Sequence, residues 1–206
     1  MYCDFVNYMS QFHPIYHLSD QMAPYVHEME LPKKSVLVER GSVCNYTYFL
    51  NKGLMRAYYS VGDVEVTSLL THEQIFVTAV HSFYMRTPSL ETIEALEPVQ
   101  LYAVHYEDMM KFCYLYHDFV LCMFKMFEAY NVLRDMRVYL LRGLKAQDRY
   151  VALSQKDPDL IKRAPLKYIA SYLDISQETL SRIRKQQLLE GDMLPNVEDD
   201  ESDKGE

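Results

Sequence analysis

The spacing of apolar residues changes twice along the chain. Residues 1–30 hold apolar side chains at short helical spacing, which predicts two short helices that pack on the next module. From Lys34 to Val104, short runs rich in Val, Ile, Tyr and Thr are separated by turn residues, a pattern typical of strands. After residue 105 the apolar positions again recur every three or four residues, as in helices. Strands followed by helices predict an α+β fold and argue against a parallel α/β fold.

The strand-rich segment contains seven or eight short runs at about ten-residue spacing. Turn signals such as Lys52-Gly53 and Gly62-Asp63 separate the runs. A series of this kind predicts a β-sandwich or jelly roll. The predicted strands have the sequences SVLVER, NYTYFLN, LMRAYYS, VEVTSLL, QIFVT, TIEAL and VQLYAV.

A long helix is predicted from about Asp118 to Lys145, and it carries two apolar stripes. One stripe recurs at alternating spacings of three and four, as in the seam of a coiled coil. We expect this seam to face a second copy of the chain and the second stripe to face the strands. The alternative is a single wide stripe that is buried within one monomer. The seam comprises Tyr116, Phe119, Met123, Met126, Tyr130, Leu133, Arg137, Leu140 and Leu144, and the second stripe comprises Val120, Phe124, Phe127, Val138 and Leu141.

The segment from Ala164 to Gln187 has the pattern of a helix-turn-helix. Pro165 suits the first position of a helix, and the small Ala170 allows two helices to approach closely. Asp174 falls where the chain turns sharply, and Asp tolerates the left-handed backbone that such a turn requires. Ser176 is a good N-cap for the second helix. The alternative is an ordinary helical hairpin with a solvated polar face.

The polar side of the second helix carries side-chain types that recognise base edges and phosphates in DNA. Arg pairs with guanine, Gln with adenine and Glu with cytosine, while Lys contacts phosphates. The sequence therefore predicts a DNA-binding surface on this segment. The predicted contact residues are Gln177, Glu178, Thr179, Ser181, Arg182 and Lys185, together with Lys167 in the first helix.

The formal net charge of −8 opposes DNA binding only in the sum over the whole chain. Residues 190–206 hold eight acidic side chains against Lys204, and this composition predicts a disordered tail. Residues 162–187 hold six Lys or Arg side chains against two acidic ones. Because salt screens charges beyond roughly 10 Å, the local basic charge matters more for phosphate contact.

Composition excludes several other classes of protein. No apolar run reaches 18 residues and no leader is recognisable, so we expect a soluble, cytoplasmic protein that does not contact membranes. The four cysteines are scattered without the spacing of a zinc or iron–sulfur site, and we predict no metal and no cofactor. A cupin-type metal enzyme would need several His side chains and a Glu on the strands, and that spacing is missing between Lys34 and Val104. We therefore predict that the protein is not an enzyme.

The segment SQETLSRIRK resembles the recognition helix of the Crp/Fnr family of bacterial transcription regulators. The matching residues are Glu178, Ser181 and Arg182, which contact bases in that family. PLKYIASYLDI is similar to a segment of short Bacteroidetes-type members, with Asp174 in place of a Gly. The resemblance implies an N-terminal double-stranded β-helix of the cyclic-nucleotide-binding type, a long dimerisation helix and a C-terminal winged helix-turn-helix. It also implies a homodimer on a pseudo-palindromic operator, with RNA polymerase as a further candidate partner.

The resemblance divides the chain into four parts. Residues 1–117 form the sensor domain, 118–145 the dimerisation helix, 146–190 the DNA-binding domain and 191–206 the acidic tail. The alternative function is a nucleotide-sensing or small-molecule-sensing module that acts through protein partners without specific DNA binding.

Family members that bind a cyclic nucleotide carry a Glu for the ribose and an Arg for the phosphate. Here those positions fall near Ala79 and Ser89, so neither charge is present. An unpaired buried phosphate would be costly, and we therefore expect an effector other than cAMP. The segment after Ile75 should include a short helix that either lines a pocket for an unknown small-molecule effector or forms filled core. The candidate pocket residues are Val77, Val80, Phe83, Tyr84 and Arg86.

Overall fold

Two four-stranded antiparallel sheets form a β-roll in the N-terminal part of the molecule. The computed structural model describes the backbone of residues 2–191 and the side chains of residues 4–187. The strand orders are β1-β8-β3-β6 and β2-β7-β4-β5. The strands are β1 (Val26–Leu31), β2 (Val36–Val38), β3 (Tyr46–Lys52), β4 (Met55–Val61), β5 (Val64–Thr71), β6 (Ile75–Val77), β7 (Thr92–Ala95) and β8 (Val99–His105).

Seven of these strands lie where the sequence predicts them, and β1 does not. Residues 1–30 are predicted to form two short helices, but Val26–Leu31 pair with β8 from Val26 opposite Val104 to Leu31 opposite Val99. β1 lies at the edge of its sheet, and only Val26, Met29 and Leu31 are partly buried. Three half-buried apolar residues in six give a weak signal for a strand, which explains the wrong prediction.

Helices precede the roll, interrupt its strands once between β6 and β7, and form the C-terminal part. Beside the helices, short 3-10 turns occupy Tyr16–Leu18 and Ala23–Tyr25. The helices are α1 (Tyr2–Ser10), α2 (Ser19–Met22), α3 (Val80–Met85), α4 (Tyr106–Leu115), α5 (His117–Gly143), α6 (Ala146–Lys156), α7 (Pro158–Arg163), α8 (Leu166–Tyr172) and α9 (Gln177–Gly191). Apart from Gly191, the predicted acidic tail at 191–206 lies outside the described residues.

Residues 146–191 hold helices and no strand, and a wing that follows α9 would lie outside the described residues. The short helix α7 stands between α6 and α8. Pro158 occupies its first turn, and the Asp157 carboxylate accepts a hydrogen bond from the Leu160 N–H at 2.9 Å. A proline at the helix start and an Asp cap both favour a helix here.

The orientation predicted for the two stripes of α5 is wrong for the first half of the seam, whereas Phe127 of the second stripe faces the roll as predicted. The seam residue Phe119 is buried, and Met123 and Met126 pack against the core of the roll. Phe124, which was expected to face the roll, is more than half exposed. Periodicity defines which residues share a stripe, but the extended backbone at Tyr116 between α4 and α5 sets the direction in which each stripe points.

The exposed apolar face of α5 instead lies on its C-terminal half. Val132, Met136 and Tyr139 follow one another at spacings of four and three, and each is more than half exposed. Residues at this spacing share one side of a helix.

The helices α6–α9 form a second apolar core, which the roll completes. We call residues 146–187 the helical unit. Its buried residues Tyr150, Leu160 and Leu180 belong to the same cluster as three leucines of the roll. Those leucines are Leu54, Leu70 and Leu96. The helical unit is therefore packed on the outer surface of the roll.

Candidate DNA-binding surface

The turn between α8 and α9 has the hydrogen-bond pattern of a Schellman motif. Asp174 has a left-handed φ of 55°, as the sequence predicts. The Asp174 N–H donates to the Ser171 carbonyl at 3.2 Å, and the Ile175 N–H donates to the Ala170 carbonyl at 3.1 Å. These two bonds satisfy carbonyls at the end of α8 and fix the path of the chain into α9.

Ser176 caps the N-terminus of α9, as predicted. Its hydroxyl accepts a hydrogen bond from the Thr179 N–H at 3.1 Å. The pKa of Glu178 is lowered, first by a hydrogen bond from its own backbone N–H and then by the Ser176 hydroxyl. A carboxylate in the first turn also suits the positive end of the helix dipole. Glu178 is therefore ionised at neutral pH and presented at the tip of α9.

The outer side of α9 is solvent-exposed. Leu180 and Ile183 are buried against the other helices, which turns the opposite side outward. Thr179 is half-buried and occupied by the cap, whereas the remaining predicted contact residues are exposed. Those are Gln177, Glu178, Ser181, Arg182 and Lys185 on α9 and Lys167 on α8. Their roles on DNA stay predictions.

The helix α8 is docked directly on an edge strand of the roll. The Thr67 N–H of β5 donates to the Ser171 hydroxyl at 2.8 Å. The guanidinium of Arg56 lies between the rings of Tyr58 and Tyr168, at 4.2 and 3.9 Å from their centroids. Stacking of this kind is favourable between a cation and aromatic faces. These contacts hold α8 in place on the roll, and the turn after α8 then sets the position of α9.

Arg56 is a buried charge on β4 whose hydrogen-bond partners come from β5 and β7. Its exposed fraction is 1%. It donates to the Thr67 hydroxyl at 3.0 Å, to Glu65 at 2.8 Å and to Glu94 at 3.1 Å. A buried guanidinium is tolerated when it is paired in this way. Sequence analysis missed this residue because an Arg within a strand gives no sign of its partners.

A second cluster of charges joins α7 to two turns of the roll. The Arg163 guanidinium contacts Glu73 at 2.7 Å and Glu97 at 2.6 Å. Burial raises the pKa of Glu73, but hydrogen bonds from Arg163 and from the Gly53 N–H outweigh it and lower the pKa to about 2. His72 lies between Glu73 and Asp157, at 3.1 and 2.9 Å. These directional contacts fix the rotation of the helical unit on the roll.

Two further arginines attach α8 to α5 and α6. Arg137 lies over the Tyr172 ring at 3.7 Å and donates to the Tyr172 carbonyl at 3.0 Å. Arg149 donates to the Leu173 carbonyl at 3.0 Å. Arg137 was expected in the seam between two copies, and it is instead used within one chain.

An apolar cavity of about 120 Å³ lies between the roll, α1 and α5. Of the candidate pocket residues, Val80 and Tyr84 line it. Val77 and Phe83 are buried core residues and do not. Arg86 points elsewhere, since it donates to the Cys44 and Phe83 carbonyls at 2.9 and 3.2 Å. The segment therefore supplies both cavity lining and filled core, and a ligand role for Val80 and Tyr84 stays a prediction.

None of the described residues that line the cavity carries a charge. Polar groups come from the hydroxyls of residues such as Thr47, Thr78 and Tyr84. The positions aligned with the ribose-binding Glu and the phosphate-binding Arg are the buried Ala79 and Ser89. The Ser89 hydroxyl is already used, since it donates to the Glu91 carbonyl at 2.7 Å. A phosphate would find no cationic partner in this lining.

A family model described as a cyclic nucleotide-binding domain matches residues 28–115. The match runs from within β1 to the end of α4 and takes in strands of both sheets of the roll. No curated protein sequence matches the chain.

Solved structures resemble the chain well beyond this domain. A protein described as a transcriptional regulator of the Crp/Fnr family from Eubacterium rectale has a TM-score of 0.68 at 14% identity, with 90% of this chain and 89% of that chain covered. The c-di-GMP-responsive global regulator CLP of Xanthomonas campestris has a TM-score of 0.68 at 13% identity, covering 86% and 93%. FixK2 of Bradyrhizobium japonicum has a TM-score of 0.67 at 15% identity, covering 84% and 89%.

These neighbours share the fold of the chain, in which a β-roll is followed by helices. One of the three is described as a regulator of the Crp/Fnr family and another as a global regulator. Among the described residues, no helix has the length and apolar character needed to cross a bilayer. Within the same residues, no group of three or more His, Cys, Asp or Glu side chains is arranged to hold a metal ion.

Proposed function

We propose that the protein is a DNA-binding transcription regulator of the Crp/Fnr type, located in the cytoplasm, in which α9 enters the major groove. The observation that carries this proposal is the exposed row of Gln177, Glu178, Ser181 and Arg182 on a capped helix. Side chains of these types form hydrogen bonds with base edges, and each good contact contributes roughly 1–3 kcal/mol of discrimination. Lys167 and Lys185 are exposed beside this row and suit phosphate contacts.

The proposed active form is a homodimer that joins through the exposed face of α5. Three large apolar side chains at helical spacing support this, namely Val132, Met136 and Tyr139. A contiguous apolar face is unusual on the surface of a monomer. A two-fold axis along α5 would present two copies of α9 to half-sites about 34 Å apart on a pseudo-palindromic duplex.

The test of DNA binding is selection of duplexes from a random pool by the full-length protein. We expect enrichment of an inverted repeat. Arg182→Ala should then weaken binding to the enriched duplex by about tenfold or more and relax the base preference at one position of each half-site. Lys167→Ala should weaken binding to every duplex alike.

Lys125→Ala is the control, since Lys125 is exposed on α5 and pairs with Glu128, away from the helical unit. It should leave both affinities unchanged. Equal losses on selected and random duplexes for Arg182→Ala would remove the base-contacting role. If no duplex is enriched, the result favours the alternative function, in which a sensing module acts through protein partners.

The dimer is tested separately by sedimentation. Val132→Glu combined with Met136→Glu should give monomers, because two like charges would be placed within the proposed contact. Val64→Glu, at an exposed position of β5, should leave the dimer intact. A dimer that survives the double substitution would contradict the assigned face.

A further inference from the structure

We propose that the cavity beneath α5 is the binding site of a neutral, apolar molecule about the size of one aromatic ring. This inference rests on the proposed function and deepens it, because such a molecule would be the small-molecule effector of the regulator. The size, the lining and the position of the cavity support it.

Size limits the ligand. The cavity volume of about 120 Å³ is far more than a single water molecule needs. It is close to the volume of roughly 150 Å³ at which an engineered apolar cavity in another protein stays dry and binds benzene. A nucleotide, with its base, sugar and phosphate, is several times larger than one ring.

The side chains that line the cavity favour an uncharged ligand. Transfer of an ionised group into an apolar site costs several kcal/mol unless the site supplies a partner, and none of the described lining residues is charged. Methionine is unusually frequent in this lining, and its flexible thioether adapts to different shapes and contacts aromatic rings favourably. The methionines that line the cavity are Met9, Met22, Met109, Met123 and Met126.

Position connects the cavity to the rest of the molecule. Five side chains of α5 contribute to its wall, and all lie in the N-terminal half of that helix. The C-terminal half of the same helix carries the exposed apolar face and Arg137, which contacts Tyr172 of α8. A bound molecule therefore touches the helix that joins the roll to the helical unit. The five residues are Phe119, Met123, Met126, Phe127 and Tyr130.

The experiment is calorimetric titration of the full-length protein with benzene, and separately with cAMP. We expect saturable binding of benzene and no binding of cAMP at the same concentration. Val80→Phe places a ring at the wall of the cavity and should weaken benzene binding at least tenfold. Val64→Phe makes the same change at an exposed position and should keep the affinity within twofold.

Met123→Phe is a second filling variant, from α5 rather than α3, and it serves if Val80→Phe does not fold. The inference is overturned if benzene does not bind, if the filling and control variants bind alike, or if cAMP binds and displaces benzene. The titration contains no DNA. Lack of benzene binding therefore overturns this inference alone, whereas lack of an enriched duplex in the selection overturns the proposed function alone.

Discussion

The roll and the helical unit build their cores in different ways. The roll encloses its apolar residues between two sheets, with Phe49, Ile93 and Leu101 fully buried among its own strands. The helical unit buries Leu160 and Leu180 only together with leucines from the outer surface of the roll. A unit that shares its core cannot turn freely on its neighbour, so the direction of α9 depends on the surface beneath it.

The largest effect is expected at the turn that serves both regions. Gly53 has a φ of 105°, and a Cβ there would lie 2.6 Å from the Pro98 carbonyl oxygen. Gly53→Ala should therefore lower the free energy of unfolding by about 3 kcal/mol or more, measured by urea denaturation. Gly62 has a φ of 59° with open space around it, and Gly62→Ala should cost only about 1 kcal/mol. A similar loss of unfolding free energy in the two variants would show that Pro98 moves away from the added methyl group.

The shared leucines provide the next test. Leu70→Ala should cost about 2–3 kcal/mol, because a buried leucine is removed. The loss should fall on the helical unit, with faster hydrogen exchange in α6–α9 and little change in β3 and β8. Leu90→Ala, at an exposed position, should change neither quantity. Uniformly faster exchange in both regions would mean that the two cores unfold as one.

A smaller effect is expected from the charges at the interface. Arg163→Ala leaves Glu73 and Glu97 without their common partner and should cost about 1–2 kcal/mol in thermal or urea denaturation. Lys162→Ala is the neighbouring control, since the Lys162–Asp159 pair is exposed and should contribute less than about 0.5 kcal/mol. Equal costs for the two substitutions would remove the assigned role of Arg163.

The same cluster should give a pH dependence. The pKa of Glu73 falls from 4.5 to about 2 on folding, so its ionised form stabilises the fold above pH 4.5. That contribution is lost as the pH falls from 4.5 towards 2. The difference in Tm between the wild type and Glu73→Gln should therefore be constant above pH 4.5 and shrink below it. Glu128→Gln, on an exposed pair, should change the Tm little throughout.

The smallest effect concerns the turn within the helical unit. Asp174→Gly should raise the free energy of unfolding by about 0.5 kcal/mol, because Gly adopts the left-handed conformation without steric cost. Asp174→Ala should lower it by up to about 1 kcal/mol. Urea denaturation measures both changes. A stabilising effect of Asp174→Ala would contradict the left-handed strain assigned to residue 174.

Features set by local sequence could be predicted, whereas features set by distant contacts could not. Strands between Lys34 and Val104 and the turn at Asp174 follow from local patterns, because alternation and turn residues act within a few positions. The direction of the α5 stripes and the partners of Arg56 and Arg163 depend on residues far away in the chain.

The hydrogen bond from Thr67 to Ser171 has a consequence for solubility. β5 is the last strand of its sheet, and an uncovered last strand offers unpaired N–H and C=O groups to any passing chain. Ser171 and the ring of Tyr168 shield this rim while α8 stays in place. A movement of α8 away from the roll would expose the free edge of β5. A signalling rearrangement of that kind would therefore increase the risk of aggregation.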